Sequence, residues 1–66
     1  MTIRKAITRA VTENNAVMAG RIADFLRFKH GLNYDQIQKM FFNITGISAA
    51  QFEGLMYEAD YQSSYG

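Results

Sequence analysis

Gly31-Leu32-Asn33-Tyr34-Asp35-Gln36-Ile37 and Gly46-Ile47-Ser48-Ala49-Ala50-Gln51-Phe52 decide the fold, because they say the same thing twice. In each, a glycine able to adopt the left-handed conformation closes one helix. A good N-cap, Asn33 or Ser48, then opens the next by accepting a bond from an otherwise orphaned amide. Gln36 and Gln51 stand three residues on and complete a capping box. Leu32 with Ile37, and Ile47 with Phe52, have the spacing of a hydrophobic staple. Two tight corners, at 31–33 and 46–48, therefore separate helices.

Between the corners, Ile37, Met40, Phe41 and Ile44 repeat at i, i+3, i+4, i+7 and predict a helix over about 34–45. Phe52, Leu55, Met56 and Ala59 predict a last helix over about 49–61, with 62–66 as a frayed tail. Before the first corner, Ile3, Ala6, Ile7, Ala10 and Val11 form one helical stripe, and 16–28 form another helical run. Thr12 or Asn15 can cap a new helix between them. Without that break, a helix over 2–29 would be about 40 Å long. It would overhang a globule whose radius of gyration is near 11 Å, and would want a second copy beside it. The expected fold is all-α: one domain over 1–61, a small bundle of three or four short helices, with the break favoured.

Composition limits how such a domain can be held together. The 66 residues include no cysteine and no proline, and the single histidine is His30. Disulfides, thiolate zinc sites and cysteine nucleophiles are thereby excluded, and one imidazole does not make a histidine-rich metal site. A chain this short buries only about 60% of its unfolded surface, so its margin is thin. No apolar run approaches the roughly 18 residues needed to span a bilayer, and the N-terminus lacks a signal-peptide pattern. The expected location is the cytoplasm, or the host cytosol if the chain is phage-encoded.

Catalysis is not expected. The carboxylates form no recognisable acid–base pair, no glycine-rich phosphate loop is present, and His30 is placed to complement the end of a helix. No catalytic, cofactor-binding or metal-binding residue is therefore assigned.

Net charge is +1, but residues 1–30 hold six basic and two acidic side chains, whereas 31–66 hold one basic and four acidic. Such halves suit head-to-tail self-pairing or two faces with different partners. The plainer reading is that they neutralise each other within the fold.

Three kinds of partner follow. Tyr57, Tyr61 and Tyr65 repeat every four residues beside the apolar stripe of the last helix, flanked by Glu53, Glu58 and Asp60. Tyrosine suits interfaces because one end is apolar and the other tolerates water. Alternatively, the rings lie flat over the domain's own core. The second kind is self-association. The run 16–28 has polar side chains only at Arg21, Asp24 and Arg27, and carries a seam of small residues, Ala16, Ala19, Gly20 and Ala23. A helix apolar nearly all round is either central to its domain or lends one stripe to another molecule. A homodimer or larger structural homo-oligomer would use that seam.

The third partner is nucleic acid. Asn33 to Met40, followed by Thr45 to Phe52, resembles a helix-turn-helix, in which a glycine, a branched apolar residue and a serine lead into the recognition helix. The resemblance covers under half of the chain, and the first helix is about one turn too long. It implies a DNA-binding regulator. Yet no lysine or arginine follows Lys39, so phosphate contacts would fall to Arg4, Lys5 and Arg9. Protein binding fits the charges better. The leading expectation is a non-enzymatic interaction module, an inhibitor or adaptor of the kind phages also encode, seated on a larger protein.

Overall fold

The computed structural model describes the backbone of residues 2–65 and the side chains of 2–62. Four helices follow in order: α1 (Ile3–Thr12), α2 (Ala16–His30), α3 (Tyr34–Thr45) and α4 (Ala49–Tyr65). The described residues contain no strand.

Local chemistry accounts for each boundary. Thr2 caps α1 by accepting from the Lys5 amide at 3.2 Å. The chain does break after Thr12. Asn14 takes a left-handed φ of 52°, which asparagine tolerates better than most residues. Asn15 then caps α2 through its side-chain oxygen, 3.1 Å from the Met18 amide.

At the first corner Gly31 is left-handed, with φ 69°. The amides of Gly31 and Leu32 return to the carbonyls of Arg27 and Leu26. The capping box of α3 is complete: Asn33 accepts from the Gln36 amide at 2.8 Å, and Gln36 accepts from the Asn33 amide at 2.9 Å. At the second corner Gly46 has φ 75°, and Ser48 and Gln51 exchange the same pair of bonds at 3.1 and 3.3 Å. The last helix runs on to Tyr65 instead of ending at 61. The Gln62 side-chain amide donates to the Glu58 carboxylate at 3.2 Å across the expected boundary, an i, i+4 pair that favours continued helix.

The core draws on all four helices: Ile7 and Ala10; Ala16, Ala19, Ile22 and Leu26; Ile37 and Phe41; Phe52 and Leu55, with Ile47 from the second corner. Phe52 is its hub, meeting Phe41 edge-on at 4.9 Å and Tyr34 at 5.3 Å. Such pairs add about 0.5–1.5 kcal/mol beyond burial. No polar or charged side chain is buried among the described residues.

The widest helix pairing is between α2 and α4, which are not neighbours in sequence. The seam makes it close. Ala16 and Ala19 are buried, and a Cβ added to Gly20 would lie 2.7 Å from the Ala59 Cβ. The radius of gyration over Cα atoms is 10.7 Å, near that of a compact globule of this length.

Candidate functional site

Gly20 in the seam of α2 is closed against Ala59 of α4, and each helix keeps a solvent-exposed side. On α4, Phe52 and Leu55 face inward with Met56 and Ala59 beside them. The opposite side presents Ala50, Gly54, Tyr57 and Tyr61, at i, i+4, i+7, i+11. Tyr57 is 75% exposed and Tyr61 is 57% exposed, so neither ring lies flat over the core. Glu53, Glu58 and Asp60 are exposed too, with Glu53 and Asp60 along one edge of this face and Glu58 along the other. Gly54 is set in the middle of the face, and a Cβ built there meets nothing within 4 Å. The side chain of Tyr65 lies outside the described residues.

On α2 the side away from the core carries Val17, Arg21, Asp24 and Phe28 at the same spacing, with Phe25 alongside; Val17, Arg21 and Asp24 also border the groove toward α4. Phe28 is 81% exposed and Phe25 47%, and the Phe25 ring meets the edge of His30 at 5.3 Å. Arg27 and Lys29 are exposed on its flanks. Within the evenly apolar run 16–28 the sequence gives these phenylalanines no separate place. The signal that could have placed them is their register with the charged residues, since Phe28 lies four residues from Asp24 and seven from Arg21. A third exposed phenylalanine, Phe42 on α3, follows Lys39 by three residues and Asp35 by seven.

The seam residues and the outer tyrosines therefore have different roles in the fold. Ala16, Ala19, Gly20 and Ala23 are covered wholly or partly by the chain itself. Tyr57, Tyr61, Glu53, Glu58 and Asp60 are brought together on one accessible side. Arg4, Lys5 and Arg9 are exposed on α1, which packs on α2 and α3. Arg9 is engaged by Glu13 at 2.9 Å. Lys39 is paired likewise with Asp35 at 3.3 Å. Both pairs are solvent-exposed and worth a few tenths of a kcal/mol, about 0.3–0.5 each.

Between α2 and α4 runs an open groove of about 560 Å³, bordered by Arg21, Arg27, Tyr34, Met56 and Asp60. The Tyr34 hydroxyl beside it titrates above the ordinary tyrosine range. Partial burial disfavours the phenolate, and the negative charge of Glu53 adds to the effect. Among the described residues no cluster of histidine, cysteine and carboxylate side chains could hold a metal. None of their helices is long and apolar enough to cross a membrane.

No protein-family model, no curated protein and no solved structure matches the chain.

Proposed function

We propose that the chain is a non-enzymatic protein-interaction module, an inhibitor or adaptor, that lays the outer face of α4 on a basic surface of a larger protein. The observation that carries this reading is the solvent exposure of Tyr57 and Tyr61 on one side of α4. A domain with so little core would be expected to use every large ring for burial, yet Phe41 and Phe52 are fully buried whereas Tyr57 and Tyr61 are mostly exposed. Exposed aromatic anchors in a charged rim are the composition of an interface. Glu53, Glu58 and Asp60 make the rim negative, which selects a cationic surface and steers it into place. The same charges weigh against α4 as a helix lying in a DNA groove, where they would meet phosphates.

The test places a photo-crosslinking amino acid at position 57 in cells that make the protein and identifies the captured peptide. The expected product is a Lys- or Arg-rich surface segment of one other protein, lost when Tyr61→Ala is added. Tyr57→Ala with Tyr61→Ala should shift stability by no more than about 0.5 kcal/mol per site, measured by thermal unfolding. A clear loss of stability would assign the rings to the fold, and diffuse crosslinking to many proteins would end the proposal.

A further inference from the structure

The two outward faces match each other. Val17, Arg21, Asp24 and Phe28 on α2, and Ala50, Gly54, Tyr57 and Tyr61 on α4, occupy the same helical positions, i, i+4, i+7 and i+11. Each stripe is about 16 Å long at 1.5 Å per residue. The α2 face bears Arg21, Arg27 and Lys29 against one acid, Asp24, whereas the α4 face bears Glu53, Glu58 and Asp60 and no cation. Their relief is opposite as well. Phe28 is the most exposed large apolar side chain described, and Gly54 leaves open space where a side chain would stand.

We propose that the outer face of α2 docks on the outer face of α4 in a second copy of the chain. The inference rests on the reading of α4 as a docking face, and adds that a second copy competes there with the larger partner. An antiparallel alignment sets Phe28 over Ala50, Asp24 over Gly54, Arg21 over the Tyr57 ring and Val17 beside Tyr61. Guanidinium on a tyrosine face is a favourable cation–π arrangement. A parallel alignment would oppose Phe28 to Tyr61 and leave Gly54 under Arg21. Because the two surfaces differ, the contact is heterologous, and an open assembly keeps one free face of each kind, one at either end, unless a ring closes.

Sedimentation equilibrium of the full chain, up to about 1 mM as a weak interface requires, tests this directly. At about 0.1 M salt the average mass should rise with concentration. At about 1 M salt, where the screening length falls from about 10 Å to about 3 Å, association should weaken on the order of tenfold. Phe28→Ser and Tyr57→Ser alter exposed side chains, and circular dichroism verifies that both remain helical. Each variant alone should be monomeric. Mixed in equal amounts they should pair one to one, because one retains its α4 face and the other its α2 face. Asp24→Asn should tighten association.

A wild-type chain that is monomeric at every concentration overturns the inference. So does association that survives in either variant, or a mixture that does not pair. A position-57 crosslink to another protein, with the chain itself monomeric, would leave the proposed function standing and remove only self-docking.

Discussion

Gly20 and Gly54 lie inside the two helices that pair most widely, and they face opposite ways. Each costs its helix about 1 kcal/mol relative to alanine. For Gly20 the fold supplies the reason, since α4 comes so near that an added Cβ would sit 2.7 Å from that of Ala59. For Gly54 the fold supplies none, because the same Cβ would stand in open space. The contrast separates what the chain needs to fold from what it offers to other molecules. The inward surface of α2 is small-grained because α4 must approach it. The outward surface of α4 is small-grained at Gly54, where the fold makes no demand, and aromatic at Tyr57 and Tyr61.

The contrast can be attacked from both sides. Gly20→Ala should have the largest effect, a loss of about 1–3 kcal/mol from overpacking against Ala59, read from urea unfolding. Adding Ala59→Gly should restore part of the loss by removing the opposing methyl. A neutral Gly20→Ala would show that the helices separate freely and would dissolve the distinction. Gly54→Ala should change stability the other way, a gain of about 0.5–1 kcal/mol, seen as a higher midpoint in the same titration. If it lowers the midpoint instead, Gly54 does serve the fold.

The smallest effect concerns how far the outer charge of α4 reaches. Glu53→Gln should bring the Tyr34 hydroxyl back toward its ordinary value in a phenolate absorbance titration, without restoring it fully, because burial is the larger cause. The sign for stability follows from the raised value. Folding favours the protonated phenol, so this contribution is complete below the unfolded tyrosine pKa of about 10. It is lost as pH rises through the folded value.

The corners were legible because their chemistry is local. Gly31 with Asn33 and Gln36, and Gly46 with Ser48 and Gln51, need only three or four neighbouring residues to form their bonds. The break at 13–15 was half legible. Asn15 is an evident cap, but only the backbone of Asn14 shows that the turn is made through a left-handed residue. The sides of α2 were not legible. A helix with large apolar residues around most of its circumference has a weak facing signal, and its orientation is fixed by Ala59, far away in sequence. In the sequence Phe25 and Phe28 are therefore indistinguishable from core residues, and only the three-dimensional packing of α2 leaves them exposed. On α4 the tyrosine repeat and its acidic flanks could be read from spacing. That the rings stand clear of the core depends on Phe41 and Phe52 having already filled it.

The reciprocal caps that bound α3 and α4 also bear on time. Each is closed by residues three positions apart, and each helix can begin to form without waiting for a distant segment. Proteins built mainly from such short-range contacts fold in microseconds to milliseconds. A domain with a thin margin and no covalent staple opens comparatively often, and on opening it exposes Phe41 and Phe52 to whatever surrounds it. Rapid reclosure shortens each exposure, so the core is guarded by the speed of its return as well as by the depth of its energy well.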